Sequence, residues 1–224
     1  MKNKSTGQYS FLYRNGLSLV FLAFFILSIG LQAVAGWKEY NEERSEEHAP
    51  PIKLRSYLGT GHFMSATFEN FESEFLQMAL YVMLTIGLRQ IGSAESKSLD
   101  GTEEVDRVPQ PSPDAPWPVR KGGIWLKLYS HSLSIAFVSL FLFSWSLHFY
   151  GSYRDANAEL LLKGKSQVTA VEFVLEPRFW FETFQNWQSE FLSVLAIVVL
   201  SIFLRQKGSP ESKPVDAPHM ETGK

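Results

Sequence analysis

The chain of 224 residues is 45% hydrophobic and 20% charged, with 21 Lys and Arg against 23 Asp and Glu. That length suits one or two small units, and a net charge of −2 without a basic stripe excludes a nucleic-acid-binding surface. Cysteine is absent, which excludes disulfides, thiolate zinc sites, iron–sulfur ligation and a cysteine nucleophile.

The first uncharged block holds 23 residues between Arg14 and Lys38. A helix of about 20 apolar residues crosses a hydrocarbon core about 30 Å thick, so this block is predicted to span a bilayer. Lys2, Lys4 and Arg14 before it and Ala33-Val34-Ala35 within it imitate a signal peptide. Its apolar core exceeds the ~7–15 residues usual there, and it is read as a retained helix. Glu39, Glu42, Glu43, Glu46 and Glu47 then carry the helix into solvent until Pro50-Pro51, inside an outer loop of about 38–66. The second block, Phe75–Leu88, has 14 uncharged residues between Glu74 and Arg89. Arg89 can snorkel to head groups, so this shorter helix is predicted to span as well.

A linker, 98–122, rich in Pro, Ser, Asp and Glu, cannot bury a core and is predicted to be disordered on the cytoplasmic side. The third block holds 26 uncharged residues between Lys127 and Arg154; an outer loop of about 154–182 follows. The fourth block, Phe191–Leu204, repeats the short pattern between Glu190 and Arg205, and a disordered tail, 214–224, closes the chain. The N-terminal stretch, linker and C-terminal stretch sum to +4 and the two loops to −6, which places both termini in the cytoplasm.

A shift of 116 residues aligns Leu12–Lys97 with Leu128–Lys213 without a gap. Thr67-Phe68-Glu69-Asn70-Phe71-Glu72-Ser73-Glu74-Phe75-Leu76 answers to Thr183-Phe184-Gln185-Asn186-Trp187-Gln188-Ser189-Glu190-Phe191-Leu192. Leu88-Arg89-Gln90 with Glu95-Ser96-Lys97 returns as Leu204-Arg205-Gln206 with Glu211-Ser212-Lys213. An even number of crossings returns each unit to its starting side, so the repeats are parallel about an axis along the membrane normal. The fold class expected is therefore all-α, with four transmembrane helices from two tandem helix–loop–helix repeats, 1–97 and 123–213. The Asn-Gly-Leu-Ser-Leu opening, Gly-His-Phe, Thr-Phe-Glu-Asn-Phe-Glu-Ser-Glu-Phe-Leu-Gln-Met and the twice-used Arg-Gln-x-Gly-Ser-x-Glu-Ser-Lys resemble a bacterial membrane-protein family known only as a domain of unknown function. The resemblance implies an integral membrane protein and carries no catalytic or binding residues.

Two sets of residues stand out. Thr67, Asn70, Glu74 and Gln77 fall on one helix face, and Thr183, Asn186, Glu190 and Ser193 hold the corresponding positions. Inside a bundle, Glu74 and Glu190 could bind a cation or exchange a proton; at a helix start they suit the dipole and the solvated interface. Arg89, Gln90 and Lys97, with Arg205, Gln206 and Lys213, form a cytoplasmic motif suited to docking or to closing the helices, with Gly92 and Gly208 as C-caps. Asn41 and Asn157 align without a chemical role, and His148 aligns with Gln32. No two histidines have the spacing of a helical metal site, and no Walker loop, dinucleotide fingerprint or hydrolase elbow occurs. No catalytic residue, metal or cofactor is expected. The sequence reads as a non-enzymatic inner-membrane protein with a structural or interaction role, as scaffold or accessory. The alternative is a small proton- or cation-handling channel or transporter. Its expected partners are the lipid bilayer and a second copy or another membrane protein.

Overall fold

Ser10 opens the first helix by accepting a hydrogen bond from the Tyr13 N–H at 3.3 Å, which satisfies one of the free donors of the first turn. A computed structural model describes residues 9–223; Lys2 and Lys4 lie outside them. In chain order the elements are α1 (Phe11–Glu46), α2 (Leu54–Tyr57), α3 (Gly61–Gly87), a 3-10 turn at Glu104–Asp106, α4 (Trp117–Lys121), α5 (Gly123–Ser130), α6 (Ser132–Leu162), α7 (Ala170–Val174) and α8 (Pro177–Phe203). Among the described residues there is no strand.

Three helices, α1, α6 and α8, are long and apolar enough to cross a membrane. Phe21, Phe24 and Ile26 on α1, Leu142 and Phe143 on α6, and Leu195 and Leu200 on α8 are all exposed, as suits a surface whose medium is itself apolar. α3 has 27 residues, as many as α8, but Glu69, Glu72 and Glu74 make its first half polar and lower its hydropathy. Gly61 and Pro177 open these two helices and Gly87 and Phe203 close them, 116 positions apart at both ends.

Two compact units form: Met1–Thr67 with Tyr150–Ala170, and Phe68–Phe149 with Val171–Lys224. Each draws residues from both halves of the sequence, because helices of the two halves pack on one another inside it.

In the first unit, Asn41 pins the loop after α1 by donating to the Ile52 carbonyl (3.1 Å) and accepting from the Ile52 N–H (2.7 Å). Asn157 does the same with Val168, at 3.2 and 2.8 Å. The two asparagines that carried no chemistry in the sequence thus imitate a backbone pairing. Tyr57 is buried between Tyr40 and Phe63, and its hydroxyl meets His62 Nδ1 at 3.0 Å. Burial and, next, Glu39 push the Tyr57 phenol up to about 12. Ser65 and Ser152 share a hydroxyl hydrogen bond of 2.5 Å where α3 begins and α6 passes. The approach requires glycine: a Cβ on Gly61 would lie 2.5 Å from the Gly151 carbonyl oxygen, and one on Gly151 2.5 Å from the Ser65 nitrogen.

In the second unit, the segment after α3 meets the end of α8, with Ser93 Oγ and Ser201 Oγ 3.2 Å apart. The tail folds back on the same segment: the Gly92 N–H donates to Thr222 Oγ1 (2.9 Å) and the Gly223 N–H to the Ser93 carbonyl (3.0 Å). The linker 98–122 contains the 3-10 turn and α4 and is otherwise irregular. α3 and α8 end at Gly87 and Phe203, so Gly92 and Gly208 are not their C-caps. Both take positive φ (80° and 86°) in later turns, where Gln90 and Gln206 carbonyls accept from the Ser93 and Ser209 N–H groups. Arg89 and Arg205 satisfy carbonyls left free at these helix ends.

Candidate functional site

In the second unit, Glu72 on α3 and His148 on α6 are both fully buried. Glu72 Oε2 lies 3.0 Å from His148 Nδ1, and Glu72 Oε1 accepts from the Trp187 indole N–H on α8 at 3.2 Å. With Glu72 ionised, Nδ1 carries the ring proton and Nε2 presents a lone pair at the other side of the ring. That Nε2 has no hydrogen-bond partner, and Glu69 Oε2 stands 3.7 Å from it. The donor atoms of Glu69, His148 and Glu182 all lie within 4.8 Å of one another. Phe179, fully buried, closes on the imidazole with ring centres 5.1 Å apart, and Trp145 and Phe149 back it.

Helical spacing explains the assembly. Glu69 and Glu72 are three residues apart, so α3 presents both carboxylates on one side. α8 adds Glu182 and Trp187, and α6 brings His148. Arg178, one turn before Glu182, donates to its Oε1 at 2.9 Å. Glu69 and Glu182 keep 24% and 28% of their side chains exposed, so the centre is closed at Glu72 and open at its other two carboxylates. Such a set can bind a cation, relay one between carboxylates, or hold an imidazolium.

The residues singled out in the sequence take varied positions. In the first unit Thr67 is buried and accepts a hydrogen bond of 3.5 Å from Gln32 Nε2. In the second unit Glu74 is exposed and Glu190 half-buried. Gln77 lines a cavity of about 400 Å³ beside Tyr81, whose hydroxyl donates to Glu95. Thr183 is fully buried with its hydroxyl unpartnered. Asn186 Nδ2 and Ser193 Oγ donate to the carbonyls of Glu182 (3.0 Å) and Ser189 (3.1 Å) along their own helix.

The twice-used Arg-Gln-x-Gly-Ser-x-Glu-Ser-Lys motif binds the ends of α3 and α8. Arg89 Nη1 donates to the Ile86 and Leu88 carbonyls, and Arg205 Nη1 to those of Ser201, Ile202 and Leu204. The Gln90 and Gln206 N–H groups donate to Ser96 Oγ and Ser212 Oγ, each at 2.9 Å. Lys97 pairs with Asp106 at 2.6 Å and holds that carboxyl below the usual range. Lys213 is buried and donates to the carbonyls of Gly92 (2.6 Å), Glu221 (2.7 Å) and His219 (2.8 Å). Burial, reinforced by Arg205, pushes its ammonium below the usual lysine value.

Sequence reasoning passed over Glu69, Glu72 and Glu182 because their ligand-like grouping comes from three helices rather than from one spacing rule. A signal was present. At the 116-residue shift Glu69, Glu72 and His148 stand opposite Gln185, Gln188 and Gln32, so three amides become ionisable groups together.

The described residues define an all-helical protein with three helices long and apolar enough to cross a membrane and a buried carboxylate–histidine centre. The chain belongs to the family described as a domain of unknown function, DUF6766, whose model matches residues 8–224. No curated protein and no solved structure matches it.

Proposed function

We propose that this chain is a four-span, two-repeat protein of a bacterial inner membrane, with both termini cytoplasmic, that handles cations at the Glu72–His148 centre. The carrying observation is that an acidic and a basic side chain, both with 0% exposure, meet among three long helices. A carboxylate and an imidazole buried together are costly to desolvate where apolar residues of similar volume would serve, so their presence points to use rather than support. The recurrence of helix ends at 116 residues supports the paired spans, α3 with α8. The charge balance of +4 against −6 supports the orientation. A scaffold needs no such centre.

The test is flux in proteoliposomes carrying a pH-sensitive and a metal-sensitive dye. The intact chain moves protons or a metal cation, and Glu72→Gln lowers the rate at least tenfold while the protein stays folded, because the amide keeps shape but loses charge. Absence of flux of every cation offered contradicts the reading and favours a scaffold.

A further inference from the structure

The geometry points to a divalent transition-metal site in which His148 Nε2, Glu69 and Glu182 are the ligands and Glu72 orients the histidine. This rests on the cation-handling reading and names the cation's chemical class.

Three donors from three helices already converge within 4.8 Å. In a tetrahedral site with bonds of about 2.0–2.2 Å, donors lie about 3.4 Å apart. The 3.7 Å between His148 Nε2 and Glu69 Oε2 needs only a small rotation of the carboxylate. Glu182 sits on a partly exposed stem and has room to move.

The second, independent observation is the ring itself. His148 is fully buried, and its Nε2 faces the two carboxylates without a hydrogen-bond partner. An orphaned buried ring nitrogen is costly unless something occupies its lone pair. Its other nitrogen is held by Glu72, which Trp187 fixes in turn. A carboxylate on the far nitrogen is the arrangement that sets the tautomer and orientation of a metal-binding histidine.

The other half of the sequence supplies a contrast. There Gln32 donates to Thr67 at 3.5 Å, and the hydroxyl is satisfied. Thr183 and His148 stand 116 positions further on, both buried, and Thr183 Oγ1 and His148 Nε2 are both unpartnered. Charge also closes. Glu69, Glu72 and Glu182 bring three negative charges and Arg178 returns one, so a dication leaves the cluster neutral.

One imidazole with two carboxylates and no thiolate suits Zn²⁺, Mn²⁺ or Fe²⁺. It suits neither Cu⁺, which prefers sulfur, nor Ca²⁺ and Mg²⁺, which prefer all-oxygen shells. Two carboxylates partly open to their surroundings leave room for an exchangeable ligand, as a site that loads and releases its ion requires.

The experiment uses the purified full chain in detergent, stripped of metal, with Co²⁺ as spectroscopic probe and Zn²⁺ and Mn²⁺ as competitors. One Co²⁺ per chain binds, with visible d–d bands that Zn²⁺ abolishes. His148→Gln, which copies the residue found in the other half, removes the bands. Glu69→Gln and Glu182→Gln each weaken binding at least tenfold, and Glu72→Gln weakens it about 10- to 100-fold. Should His148→Gln fail to fold, Glu182→Gln, at the open side, carries the test together with wild-type stoichiometry. No binding of Co²⁺, Zn²⁺ or Mn²⁺ by the folded chain, or binding indifferent to His148 and Glu182, overturns the site. Proton flux without metal binding overturns the site and leaves the cation reading intact. One-to-one binding without flux keeps the site and removes the transport reading.

Discussion

Tyr57 shows how one buried side chain records its surroundings. Its phenol is pushed up to about 12 from the ordinary 10.0, by burial first and then by Glu39, Asp155 and Glu43. Between those two values an unfolded chain releases the proton while the folded one keeps it. The fold therefore loses stability as the pH rises from 10 toward 12 and keeps this contribution intact below 10. Ultraviolet difference titration of the intact chain against Tyr57→Phe should show the extra phenolate appearing near 12; a midpoint near 10 would contradict the packing around this ring. The same scale explains what the sequence hid. Glu74 and Glu190 drew attention because they bound apolar blocks, and the structure leaves Glu74 exposed and Glu190 half-buried. Glu72, two residues earlier and so about 200° around the helix, is the buried one. Only the exchange of Glu72 for Gln188 and His148 for Gln32 marked that position in advance.

At the scale of elements, more was legible. The 116-residue shift related the second and fourth helices, and α3 and α8 share both boundaries at that shift, although each begins about six residues before the end of the loop read from the sequence. The polar half of α3 was harder, because carboxylates that face a buried histidine read in one dimension as a helix start in water. The Arg-Gln-x-Gly-Ser-x-Glu-Ser-Lys motif read as suited to docking or to closing the helices; its arginines bind carbonyls at the helix ends and its lysines bind within the chain. The glycine crossing of α3 and α6 gives a direct check. A Cβ at Gly61 would meet backbone atoms of Asp155 and Gly151 at 2.5 Å, which no side-chain rotation relieves. Gly61→Ala should cost about 1–3 kcal/mol in denaturant unfolding in detergent, whereas Gly59→Ala, with only the Ser56 carbonyl at 3.6 Å, should cost far less. Equal stability of the two variants would contradict the crossing.

For the whole molecule, the balance of charge predicts an orientation and the absence of cysteine makes it easy to read. A single cysteine replacing Glu46 should react with an impermeant maleimide in spheroplasts. One replacing Asp114 should react only after the membrane is opened. The opposite pattern would invert the topology, and with it the side from which a cation reaches Glu69 and Glu182.

The buried Glu72–His148 hydrogen bond holds the centre together, and a double-mutant cycle reaches it most directly. Glu72→Gln and His148→Gln should each destabilise the folded chain by about 1–3 kcal/mol, because each weakens the hydrogen bonding of a buried polar partner. The double variant should cost clearly less than the two combined, with a coupling of at least about 1 kcal/mol in unfolding experiments on the purified protein. Effects that add to within about 0.5 kcal/mol would mean that Glu72 and His148 do not meet, and the centre described here would not exist.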